Sequence, residues 1–70
     1  MKTYRVKVKP LLYTNDYRSK EFTMTCKHFS PRKIIKELYG LDAKEVTGIF
    51  GNYCVEAGYI KFEVEAKKLS

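Results

Sequence analysis

Cys26, His28 and Cys54 are the side chains of this sequence whose types could ligate a metal or supply a nucleophile. Their spacing argues against both. No C-x-x-C pair and no second histidine exists to complete a tetrahedral site. Cys26 and His28 share a strand face, which reads more simply as a core cysteine beside a border histidine. A Cys–His nucleophile needs a shaped cleft, and a chain of 70 residues has little volume for one. The acids are scattered, and "GIFGNY" lacks the Lys-Ser/Thr that would follow a phosphate-cradling loop. The expectation is a non-enzymatic protein with no metal and no cofactor.

The cations carry more information. The formal charge is +6 and it is unevenly spread. Residues 1–36 hold ten Lys and Arg against two acids, and residues 37–70 hold four Lys against six acids. Such asymmetry suits an anionic partner. Two groupings stand out. Arg5, Lys7 and Lys9 alternate with Tyr4, Val6 and Val8, so they project from one side of a strand about 7 Å apart, close to the phosphate spacing of a nucleic acid. Thr23 and Thr25 would share that outer face, and Tyr13 and Tyr17 at the tip of the hairpin could stack on bases.

The second grouping is Lys27, His28, Arg32 and Lys33, placed around "SPRK", where a helix begins. The first turn of a helix presents unpaired N–H groups and favours anions, and arginine adds a fork that matches phosphate. Without a ligand, each cation there opposes the dipole by only about 0.3–1 kcal/mol, so plain solvated side chains explain it equally well. Short Ser-Pro-basic-basic segments also resemble minor-groove contacts of histone tails and proline-directed kinase sites. Here the segment is embedded in a helix rather than a tail.

These residues need elements to hold them. "TYRVKVKP" and "KEFTMTCK" both alternate apolar and polar positions and read as two strands of a hairpin, joined through the turn residues "TNDYRS". Pro10 suggests that the first strand lies at a sheet edge or carries a bulge. Ser30 caps a helix, Pro31 fills its first position and Gly40 ends it, while Phe29 and Ile34 match a hydrophobic staple. The last strand, "YIKFEVEA", turns Ile60, Phe62, Val64 and Ala66 inward. Before it the pattern slips. Gly51-Asn52 and Ala57-Gly58 are both competent turns, and the one not used as a turn reads as a bulge.

The fold class expected is α+β: one domain over 1–70, in β-β-α-β-β order, with a four-stranded antiparallel sheet and one helix on one face. Its core is Tyr4, Val6, Val8, Phe22, Met24, Cys26, Ile34, Ile35, Leu38, Ile60, Phe62 and Val64, joined by Phe29 and Phe50. Two hairpins around one helix also occur in swapped-hairpin bacterial DNA-binding regulators, an analogy of topology alone. No apolar run approaches the roughly 20 residues that span a bilayer. The opening residues do not form a signal peptide, and two cysteines make no disulfide framework. A cytoplasmic protein without a membrane partner is expected.

Two functions follow as expectations. One is a small protein that grips DNA or RNA backbone without reading sequence, through Arg5, Lys7, Lys9, Lys27, Arg32 and Lys33. The other is an interaction or inhibitor module, of the kind a phage or mobile element directs at a host protein, binding an acidic partner through its sheet face, an edge strand or its tyrosine-rich turns, or forming a homodimer through an edge strand or the uncovered sheet face. Strand order separates them. If the last strand neighbours the first, Glu63 and Glu65 pair with the basic row.

Overall fold

The computed structural model describes residues 1–11, 18–49 and 51–69. Five strands and one helix follow in the order β1 (Lys2–Pro10), β2 (Lys20–Cys26), α1 (Pro31–Tyr39), β3 (Glu45–Ile49), β4 (Asn52–Ala57) and β5 (Ile60–Lys68). All pairings are antiparallel, and the strands lie in the order β2-β1-β5-β4-β3.

The expected α+β class, with one helix and an antiparallel sheet, is what the chain adopts, but the sheet has five strands rather than four. The fifth arises because both competing turns are used. Ile49 pairs with Asn52, so Gly51 lies in the turn and Asn52 opens β4. Ala57 pairs with Ile60 across a second two-residue turn at 58–59. Neither site is a bulge in place of a turn. Gly51 is required where it stands: its φ is +84°, and a Cβ there would lie 2.3 Å from the Ala66 carbonyl oxygen. The Gly51 carbonyl in turn accepts from Ala66 N–H at 2.7 Å, which ties this turn to β5.

Pro10 does not mark an edge, because β1 lies between β2 and β5. Leu11 N–H donates to the Lys61 carbonyl and Leu69 N–H to the Thr3 carbonyl, so odd-numbered residues of β1 bond toward β5. Even-numbered residues therefore face β2. Pro10 falls in that set, beyond the last β1–β2 pair at Val8 and Lys20, where the strand has no N–H to supply.

The helix forms as its end signals require. Ser30 has extended backbone, its carbonyl accepts from Ile34 N–H at 3.2 Å, and its Oγ accepts a long 3.5 Å bond from Lys33 N–H. Gly40 adopts the left-handed conformation and donates to the Lys36 carbonyl at 2.8 Å. Nine residues form no stable helix in isolation, so α1 is held by docking Pro31, Ile34 and Ile35 onto the sheet.

The core lies between α1 and one face of the sheet: Val6, Val8, Ile34, Ile35, Val55, Ala57, Phe62 and Val64 are buried. Val55 and Ala57 add to the core that the sequence pattern predicts, because alternation alone does not separate their strand from its turns. Tyr4, Phe22, Met24, Phe29, Leu38 and Ile60 pack around this cluster and are half-buried. Cys26, expected in the core, is half-buried on β2. Phe50 lies outside the described residues. Phe29 packs between Tyr4 and Tyr53, with ring centroids 5.2 and 5.7 Å away, and so fastens the helix start to the sheet.

Candidate anion-binding surface

The face of the sheet opposite α1 carries the odd-numbered residues of β1 and β5, and the register decides what they can do. Lys7 stands opposite Glu21 on one side and Glu65 on the other. Lys9 stands opposite Glu63. Arg5 faces Lys67 on β5 and turns instead to Glu21 on β2, donating from Nε at 2.7 Å and again from Nη2. Thr3 and Thr25 close the end of the face with a 3.1 Å hydroxyl contact. Farther along, Lys61 opposes Glu56, which opposes Glu45.

This open face therefore holds five cations (Arg5, Lys7, Lys9, Lys61 and Lys67) interleaved with five glutamates (Glu21, Glu45, Glu56, Glu63 and Glu65). Its depressions are lined by both signs, one by Lys7, Lys9, Glu21, Glu63 and Glu65 with Lys20 at its margin, the next by Arg5, Lys7, Glu21, Glu65 and Lys67. The sequence groups Arg5, Lys7 and Lys9 as a phosphate-tracking row. The structure keeps them on one face but interleaves that row with carboxylates.

The Arg5 guanidinium, bonded to Glu21, holds that carboxyl below the usual glutamate range, aided by the Lys7 charge. A carboxyl whose pKa is lowered by folding adds stability above its unfolded pKa, near 4.3, and loses it as pH falls through the folded value. Glu21 is exposed, so the contribution is small. In NMR titration Glu21 is expected to protonate at lower pH than an unpaired glutamate in a peptide. Arg5→Gln should return it to the ordinary range. An unchanged Glu21 titration in that variant would show that the ion pair does not persist in solution.

With the open face balanced, the basic surplus lies elsewhere. The other nine Lys and Arg occupy the helix, the loops and the helix-side positions of the strands, where the described acids are Glu37 and Asp42. Among these cations, Arg32 donates from Nη1 to the Ala43 carbonyl at 2.6 Å and ties the helix start to the segment entering β3. Lys36 pairs with Asp42 at 3.1 Å. Lys20 lies over the Tyr39 ring, 5.3 Å from its centroid. Arg32, Lys33 and Lys36 line one depression together with Leu41, Asp42 and Ala43. Lys27 and Lys33 are exposed and have no ion pair among the described residues.

Of the residues picked out by sequence, Lys27, Arg32 and Lys33 thus fall on the basic helix side, and Arg5, Lys7 and Lys9 on the neutral open face. His28 is exposed just beyond β2. Tyr13 and Tyr17, proposed to stack on bases, lie outside the described residues. Tyr53 packs against Phe29 and Tyr39 against Phe62, the latter pair 4.7 Å apart, whereas Tyr59 is 95% exposed in the second turn. Sequence reasoning did not single out Lys36 or Lys20. The signal for Lys36 was its helical spacing, one turn after Arg32 and Lys33.

Among the described residues no three His, Cys, Asp or Glu side chains gather as a metal site, and no helix is long and apolar enough to cross a membrane. Compared with known proteins, the chain matches no family model, no curated protein sequence and no solved structure.

Proposed function

We propose that this chain is a small, non-enzymatic binding module for a polyanion, nucleic-acid backbone being the best fit, and that it presents its helix side rather than its open sheet face. One observation carries the reading. The open face neutralises itself, five cations against five glutamates, which leaves the basic surplus to the helix, the loops and the helix-side positions of the strands. A surface with excess cations attracts polyanions through counterion release, whatever the sequence of the ligand. Lys27 and Lys33 would meet phosphates. Arg32 would do so with the guanidinium edge not used on the Ala43 carbonyl, beside N–H groups of the first helical turn.

The test is fluorescence anisotropy with labelled single-stranded DNA, duplex DNA and RNA across a salt series. Binding is expected to weaken linearly in log–log salt, with a slope of several charges. Lys27→Glu with Lys33→Glu should weaken all three ligands alike, by about tenfold or more at low salt. Lys7→Glu with Lys9→Glu, on the neutral face, should cost far less. An effect of equal size from both pairs would remove the helix-side assignment. No binding to any of the three at low salt would overturn the nucleic-acid reading and leave an acidic protein as the partner to seek.

A further inference from the structure

The two edges of the sheet are guarded very differently. A free edge strand presents unpaired N–H and C=O groups, and proteins blunt it with charge, proline, kinks or shortness. The β3 edge is blunted: it is five residues long, and Gly48 breaks it with φ +113°. β2 is seven residues long, and its stretch Phe22–Cys26 contains no charge, proline or glycine. Because even-numbered residues of β1 bond toward β2, the even-numbered residues of β2 are consumed by that pairing. Glu21, Thr23 and Thr25 direct their N–H and C=O outward, and among the described residues nothing accepts from or donates to them.

We propose that the chain self-associates through this edge, two copies pairing their Lys20–Cys26 strands antiparallel about a two-fold axis at Thr23. A two-fold interface must be self-complementary, and this strand is. Centred on Thr23, the register pairs all seven residues: Thr23 meets its own copy, Glu21 meets Thr25, Phe22 meets Met24 and Lys20 meets Cys26. No like charges oppose each other. On the helix side Phe22 and Met24, both half-buried in one copy, cover each other twice, an aromatic–thioether pairing that is favourable in itself. On the open face Thr23 pairs with Thr23, a combination suited to cross-strand hydrogen bonding. The product is a continuous ten-stranded sheet with both helices on one side, which doubles the basic helix-side surface. The inference does not depend on what that surface binds.

Sedimentation equilibrium from micromolar to several hundred micromolar protein is expected to show a reversible monomer–dimer equilibrium. Thr23→Lys places two ammonium groups face to face at the axis and should weaken dimerisation at least about tenfold. Thr23 is exposed and its N–H is not used within one copy, so the far-UV spectrum and melting temperature of dilute protein should hold. Ile49→Lys, at the opposite edge, where Ile49 is 68% exposed, should leave the equilibrium unchanged. The unmodified protein supplies a further readout: the amides of Glu21, Thr23 and Thr25 should gain protection from hydrogen exchange as concentration rises, while those of Phe22 and Met24 are protected throughout. A monomer at every concentration overturns the proposal and leaves β2 to a strand from another protein. A dimer insensitive to Thr23→Lys, or one lost with Ile49→Lys, overturns it equally.

Discussion

Phe62→Ala is expected to remove about half of the stability of the fold. Phe62 is the largest fully buried side chain among the described residues and sits on β5 between Pro10 of β1 and Val55 of β4, stacked on Tyr39. Truncating a buried phenylalanine costs about 3–5 kcal/mol, the lost transfer energy plus the cavity left behind. A chain of this length is held together by roughly 4–10 kcal/mol in total. The neighbours that would have to collapse into the gap are strands of a continuous sheet, held at fixed spacing by their hydrogen bonds, so relaxation is limited. Urea unfolding followed by far-UV circular dichroism measures the loss. Tyr59→Ala, which removes an aromatic ring that is 95% exposed, should change stability by no more than about 0.5 kcal/mol and serves as the matched control. A small effect of Phe62→Ala would mean that the helix can settle onto the sheet without it.

The second large effect is expected at Gly48. Its φ of +113° is one that side chains rarely adopt, and an added Cβ would stand 2.1 Å from the Asn52 carbonyl oxygen and 2.9 Å from Tyr53 Cα. Both obstacles are backbone, so rotating a side chain cannot relieve them. Gly48→Ala must either strain the residue or push β3 away from β4, at roughly 2–5 kcal/mol. Gly40→Ala is the comparison: its φ is +71°, but nothing lies within 4 Å of the new atom, and about 1 kcal/mol is expected. Hydrogen exchange locates the damage. Amides of Glu45, Thr47 and Ile49, which bond across to β4, should lose protection first, while those of the β1–β5 pairing persist. Uniform loss of protection would show that β3 unfolds only with the whole domain.

How much of this was written locally in the chain can be judged element by element. Helix α1 was legible to the residue because capping is short-range chemistry: Ser30, Pro31 and Gly40 act on their own neighbours. β1, β2 and β5 were legible because half-buried strands must alternate. The pair β3 and β4 was not, because two good turns lay close together and turn propensity ranks each without saying whether both are used. The distance between them is enough for a strand of six residues. The basic row was legible as a row, since Arg5, Lys7 and Lys9 do share a face. Its neutralisation was not, because it depends on β5 returning beside β1, a choice made by the whole sheet. The complementary pattern of Glu63 and Glu65 was visible, and only the strand order gave it meaning. The basic surplus off the open face is likewise a remainder, apparent only after that face has been balanced.

The pairing of β1 with β5 also governs how such a chain reaches its final form. The strands β1–β2 and β3–β4–β5 are each joined by neighbours in sequence, but Val8 meets Val64 and Tyr4 meets Lys68 across most of the chain. Contacts between distant positions are slow to find, because the loop entropy is lost before the contact rewards it. The β1–β2 and β3–β4–β5 pairings are therefore cheap in loop entropy and the β1–β5 pairing is the costly one, which closes the centre of the sheet and sets Val8 against Val64. During translation β5 emerges after every other strand, so until then the middle of the final sheet is an unfinished margin. The opposed charges of Lys7 with Glu65 and Lys9 with Glu63 favour, on the open face, the same alignment that hides the apolar side of β5.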